Sequence, residues 1–327
     1  MKLTLSEIRS VTVGALRVWQ EDDGIHFSKF TEKQVSAWDH EPDKDLGPRA
    51  RTTSGVRLDF HTDAKALRYA FACDTKTEVY VDGLFRGQIE TKSYREAGKW
   101  IEMPLCDPLG APLAACRVTL VFPSHDIGVL EGVELVDATY IKPHEFDCKM
   151  LFIGDSITQG WAALTDSFSY AWRVTRQFNA NSIIQGVGGA YFLEEAFDHI
   201  DFDPDIVVVA YGTNDWGHYK TLAELHEHAG GFLELIANEY KGKKIFCISP
   251  IWRDLSYTDP AKKPMGKFWE CRAAVIEEIE KRGLIHVDGL SLVPPLNEFY
   301  HDQYLHPNNE GFSHYAENLV IAMKKHL

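Results

Sequence analysis

The chain has 327 residues, 45% of them hydrophobic and 25% charged, which supplies a sizeable core and excludes wholesale disorder. Acidic residues outnumber basic ones by 48 to 34, a net charge of -14 that repels phosphate backbones and anionic lipid. Nucleic acid and membrane surfaces are therefore disfavoured as partners, and a small neutral or cationic molecule suits the field better. The length, about twice a common domain of roughly 150 residues, predicts two domains. The opening residues 1–20 show no basic segment followed by a continuous apolar run, and no window reaches the ~18 apolar residues of a membrane span. The six cysteines include no C-x-x-C pair and read as free thiols, so a cytoplasmic protein is expected.

Up to about residue 147 the chain offers short alternating or β-branched runs at 55–60, 78–81, 116–122 and 132–138. Val79 and Val81 followed by Asp82-Gly83 and Leu84-Phe85 predict a hairpin. Residues 39–51, rich in charge and containing Pro48, read as a loop. Strands at this spacing predict a β-sandwich, jelly-roll-like, over residues 1–147.

From residue 148 the period changes. Near-continuous apolar runs at 149–153, 205–210, 244–248 and 284–287, with a weaker one at 181–184, suit strands buried on both faces. Helical stretches are predicted between and after them, at 169–178, 191–199, 221–240, 267–282 and 310–326. Strand–helix alternation predicts a three-layer α/β/α domain with a flavodoxin-like parallel sheet over 148–327.

Functional loops of such a sheet leave the carboxyl ends of its strands. Read in order, those ends carry Gly154-Asp155-Ser156, then Gly186-Val187-Gly188-Gly189, then Gly212-Thr213-Asn214-Asp215, and finally Asp302-Gln303-Tyr304-Leu305-His306-Pro307. A serine on a tight strand-to-helix turn is a candidate nucleophile, glycine N–H and asparagine amide groups can hold an oxyanion, and histidine is the natural base. Each segment alone has a plainer reading. Gly-Asp-Ser is a common turn, G-x-G-G is a fragment of a dinucleotide fingerprint, Asn214-Asp215 can cap a helix, and His306 is one of fourteen histidines. Their arrival in order at four strand ends points to an acyl-transfer site.

These four segments resemble the blocks of the SGNH or GDSL hydrolase superfamily, over about residues 148–327. The resemblance implies that Ser156 is the nucleophile, His306 the base, and Ser156, Gly189 and Asn214 the oxyanion donors. The preceding sandwich resembles the layout of carbohydrate esterase family two and related sugar deacetylases. Two positions depart from the family pattern: Ile184 stands where an asparagine usually opens the second block, and Gln303 where aspartate usually orients the histidine. Asp302 is one residue further back, so the expected partner of His306 is Asp302, with Gln303 or a backbone carbonyl as alternatives.

Trp161, Trp216 and Trp252 follow three of these segments and are candidate walls for a sugar ring or an acyl chain. No metal or cofactor is expected, since His226 and His228 stand two apart on a predicted helix and face different ways. The expected activity is hydrolysis of a small acyl ester, preferably an acetylated sugar, by a serine nucleophile. A lipid or thioester acyl hydrolase is the alternative enzyme, and a carbohydrate-binding protein without turnover the alternative of another class.

Overall fold

The run around Val79 and Val81 forms an antiparallel hairpin whose turn residues, Asp82 and Gly83, have φ of 50° and 75°. Two positive φ values let a two-residue turn follow the right-handed twist of its strands. The computed structural model of the chain describes residues 1–90, 99–257 and 267–327. It divides into two compact units.

The first unit comprises residues 1–30, 51–146 and 165–167. It opens with helix α1 (Leu5–Val11), started by a capping box in which Thr4 and Glu7 satisfy each other's N–H groups. Its strands are β1 (Thr12–Val13), β2 (Arg17–Glu21), β3 (Gly24–Ser28), β4 (Arg57–Thr62), β5 (Ala66–Ala72) and β6 (Lys76–Val81). They continue as β7 (Leu84–Glu90), β8 (Trp100–Pro104), β9 (Cys116–Val121), β10 (Val129–Val136) and β11 (Ile141–Pro143). Two antiparallel sheets result, β1-β4-β9-β6-β7 with β11 added on β4, and β2-β3-β10-β5-β8. Alternate residues such as Leu58, Phe60, Tyr69, Val79, Leu120 and Val133 fill the core of this unit. Removing each from water contributes roughly 1.5–3 kcal/mol.

The second unit comprises residues 31–50, 147–164 and 168–327. Its first segment corrects the loop expected at 39–51. Helix α2 (Glu32–His40) begins with a second capping box, Thr31 and Gln34, and α3 (Leu46–Ala50) buries Leu46 and Ala50. Contacts made far along the chain, beyond the reach of local composition, order this segment.

The sheet of this unit is entirely parallel, built from β12 (Cys148–Gly154), β13 (Ala180–Gly186), β14 (Ile206–Ala210), β15 (Lys244–Ile248) and β16 (Ile285–Val287). Its order, β13-β12-β14-β15-β16, is that of a flavodoxin-like doubly wound sheet. The helices are α4 (Ser156–Gln159), α5 (Tyr170–Gln177), α6 (Asp215–His218), α7 (Leu222–Glu239), α8 (Phe268–Lys281) and α9 (Asn309–Lys324). Met150, Phe152, Val208 and Phe246 share one core with Val174 of α5 and Phe312 and Leu319 of α9. Leu151, Val207 and Val209, which point the other way, are equally buried, as strands covered on both faces require.

The helix expected at 191–199 does not form; only the 3₁₀ turn Glu194–Ala196 is present. Here tertiary hydrogen bonds displace helical ones: Phe192 N–H donates to Asp215 Oδ1, and the Tyr219 hydroxyl donates to the Phe192 carbonyl. Tyr191, Phe192, Leu193 and Ala196 are all buried, which one stripe of a surface helix could not achieve.

Candidate active site

Strand β12 ends at Gly154, where an added Cβ would lie 2.1 Å from Thr158 Oγ1 and 2.8 Å from the Ala210 carbonyl oxygen. Only glycine allows the turn that follows. Asp155 caps α4 by accepting the Ile157 N–H at 2.9 Å, and Ser156 is the first helical residue. Burial pushes the Asp155 carboxyl up to about 7, against the Ile157 N–H that favours its ionised form.

Ser156 Oγ lies 2.9 Å from His306 Nε2, and His306 Nδ1 lies 2.6 Å from Asp302 Oδ2. The other oxygen of Asp302 accepts the backbone N–H groups of Tyr304, Leu305 and His306 at 3.1, 2.8 and 3.0 Å. Burial alone would raise this carboxyl. The bond to His306 and the three N–H donors outweigh it and hold Asp302 far below the ordinary carboxylate range. Gln303 adopts a left-handed φ of 69° and turns its side chain away, its Nε2 reaching 3.5 Å from the Tyr300 carbonyl oxygen. The departed motif position is thus a turn residue, and the carboxylate arrives from one position earlier.

The second block loops over the first. Gly188 N–H donates to Gln159 Oε1 at 2.6 Å, and the Gly188 carbonyl accepts Arg49 Nη1 at 3.0 Å. Gly189 has φ 89°, and an added Cβ would meet Arg49 Nη1 at 3.1 Å. Among the described residues, no carbonyl or side chain accepts the backbone N–H of Ser156 or of Gly189. Asn214 donates one amide hydrogen to the Ala190 carbonyl at 2.9 Å, which ties the third block to the second and leaves its other hydrogen available.

Asp215 joins the same two loops from beneath, accepting the N–H groups of Phe192 at 2.9 Å and Gly212 at 2.8 Å. Burial lifts its carboxyl to about 7 despite those donors. Asp215→Ala orphans two buried donors, at about 1–3 kcal/mol each. We expect a lower urea midpoint and reduced turnover in the same variant, and an unchanged midpoint would show that these bonds do not hold the loops.

The three tryptophans separate. Trp161 is 47% exposed and stands edge-on to the His306 ring at 6.4 Å. Trp252 is half-buried against Tyr300 at 5.0 Å. Trp216 is corrected: only 2% exposed, it packs on Phe268 at 5.2 Å and under the Arg253 guanidinium at 5.1 Å, so its ring is no wall for a ligand. A single helical turn after Asn214 rotates it inward onto α8. His226 and His228 pair with different carboxylates, Glu278 and Glu194.

Sequence reading gave no role to Gln159, within the first segment, nor to Arg49 and Arg253, which touch the site loops from outside the motifs. It also missed a cavity of about 570 Å³ beside the second block, walled by Lys33, His40, Glu41, Tyr191, His218 and His228. Tyr191 hydrogen-bonds Glu41 and stacks on His218 with centroids 3.5 Å apart. Being two residues from Gly189, Tyr191 has its Cα within about 7 Å of that of the glycine.

Residues 152–313 match the GDSL-like lipase/acylhydrolase family model. No curated protein sequence matches the chain. Among solved structures it is similar to the salicylyl-acyltransferase SsfX3 from a tetracycline biosynthetic pathway, with a TM-score of 0.81, 20% identity, and 96% of this chain and 94% of that one covered. A family two carbohydrate esterase from Cellvibrio japonicus gives a TM-score of 0.70 at 14% identity, covering 99% and 97%. The acetyl xylan esterase Est2A from Butyrivibrio proteoclasticus gives 0.64 at 13%, covering 100% and 98%. At these identities the likeness is one of fold, sandwich and α/β unit together. The family match, with the parallel sheet and the ordered blocks, makes residues 152–313 of this chain a GDSL-like lipase/acylhydrolase domain.

Proposed function

We propose that the protein is a serine esterase that removes small acyl groups, preferably acetyl, from a carbohydrate. The observation that carries this reading is the continuous hydrogen-bonded chain Ser156–His306–Asp302, with links of 2.9 and 2.6 Å. Ser156 Oγ attacks the acyl carbonyl as its proton passes to His306 Nε2. The C=O electron pair moves onto oxygen, which the N–H groups of Ser156 and Gly189 and the Asn214 amide hold. Collapse expels the alcohol, which takes the proton from His306, and water activated by the same histidine releases the acid. Asp302 keeps Nδ1 protonated and favours the imidazolium.

Asn214→Ala should lower kcat on the order of 100-fold with KM little changed, because its amide is used mainly as charge develops on oxygen. A variant altered in KM alone would reassign Asn214 to substrate binding.

The sugar reading is supported by the sandwich-bearing carbohydrate esterases of the same fold and by the cavity at Tyr191 and His218. Its volume falls within the roughly 300–1,000 Å³ common for ligand sites, and the exposed His218 ring on its wall offers a flat face to sugar C–H groups. The alternative acyl-lipid reading draws on Trp161 and on Leu164, which is 76% exposed just beyond the nucleophile turn. Released acid is to be measured on acetylated monosaccharides and on acetyl and octanoyl esters of one alcohol. Acetate release from the sugars, with KM raised by His218→Ala only on the sugar esters, is the expected result. Preference for octanoyl would favour the lipid reading, and failure of a serine-directed phosphonate to label Ser156 would favour a binding protein.

A further inference from the structure

The mechanism above leaves one buried charge unused. Arg253, five residues past β15, is 5% exposed, and among the described residues it has no carboxylate within ion-pair distance. Its Nη1 donates to the carbonyl oxygen and to Oγ1 of Thr213, at 3.3 and 3.2 Å. Its Nε is buried without a hydrogen-bond partner. The rings of Trp216, Phe268 and Tyr304 enclose the guanidinium, with centroids 5.1, 5.6 and 5.8 Å away. Burial holds its pKa below the usual guanidinium value, opposed electrostatically by Tyr304, Asp302, Cys271 and Asp155.

A guanidinium stays charged at any working pH, and a buried charge without a counter-ion is costly, so packing alone would be served better by an apolar side chain. The neighbours show what the charge reaches. Thr213 adjoins Asn214, Tyr304 is two residues from His306, Asp302 binds His306, and Asp155 adjoins Ser156. One cation therefore stands near three of the four loops that carry the reacting groups, those of Ser156, Asn214 and His306.

We infer that Arg253 is a positioning residue of the esterase site, which fixes the Thr213–Asn214 backbone and supplies an unneutralised positive charge that favours the anionic tetrahedral intermediate. The inference rests on the esterase reading. The two roles separate experimentally. Fixing Thr213 needs a donor held where the rigid guanidinium, gripped by the three rings, places Nη1, and an ammonium on a flexible stem is not held there. The field needs only the charge, and a fixed cation disfavours any second positive charge in the site.

The test uses the full chain and 4-nitrophenyl acetate, with kcat and KM followed across pH and thermal midpoints recorded. Arg253→Met should lower kcat on the order of 100-fold, with KM little changed, and shift the acid limb of the profile to higher pH. Arg253→Lys should also lose kcat, yet keep the acid limb at the wild-type pH. Thr213→Ala should lose kcat without moving the limb. Coincident acid limbs in Arg253→Met and Arg253→Lys would overturn the electrostatic role, and wild-type kcat in both Arg253→Lys and Thr213→Ala would overturn the positioning role. Should Arg253→Met fail to fold, Arg253→Gln takes its place with the same expected shift. Absence of any acetate release by the wild type overturns the esterase reading itself, whereas Ser156-dependent activity indifferent to Arg253 overturns this inference alone.

Discussion

Replacing Ser156 by alanine should abolish ester hydrolysis while the thermal midpoint stays near that of the wild type. The expected loss is on the order of 10⁴-fold or more, because without Oγ no acyl-enzyme can form and only the oxyanion donors remain. The hydroxyl makes one side-chain bond, to His306 at 2.9 Å, and α4 keeps its cap from Asp155. Little stability is therefore at stake. Turnover by Ser156→Ala above a small fraction of wild type, measured as released acetate, would refute the nucleophile assignment.

Asp302→Asn is expected to cost far more activity than Gln303→Ala. The carboxylate accepts from His306 Nδ1 at 2.6 Å, and an amide placed there can present a donor and favour the wrong tautomer, a change that costs ~10⁴-fold in a comparable triad. Gln303 is exposed and points toward the Tyr300 carbonyl, so its truncation should leave kcat nearly unchanged. Stability carries a second signature. The folded-state pKa of Asp302 is depressed, so its contribution is present above the unfolded carboxylate pKa and is lost as pH falls below about 4. Asp302→Asn should show a flatter fall in stability across that acidic range. Near-wild-type rates in Asp302→Asn would instead describe a Ser–His pair without a third member.

Ser156 and Asn214 stood out as candidates because each follows a buried apolar run, and a parallel sheet sends such strand ends to the same edge; His306, well past the last strand, stood out by its motif. The β-period of the first 147 residues and the change of period after it likewise carried the two architectures, since side-chain alternation is a local property of the chain. Other features depended on backbone angles or on partners far along the chain. The carboxylate of Asp302 reaches His306 only because Gln303 takes a left-handed turn, a backbone choice that residue identity does not announce. Trp216 turned inward because Phe268 and Arg253 offered it a buried face. Residues 39–51, whose charge and Pro48 read as loop, carry the end of α2 and the whole of α3, tied to the second block and the residues just after it through Arg49–Gly188 and Glu41–Tyr191. The sequence by itself determined which residues are candidates for acyl transfer and the chain order in which they follow the strands. The tertiary structure alone decided which carboxylate reaches the histidine, which aromatic rings stay open, and which buried cation lies against Thr213, because the first depends on a left-handed backbone angle and the others on packing between elements distant in the chain.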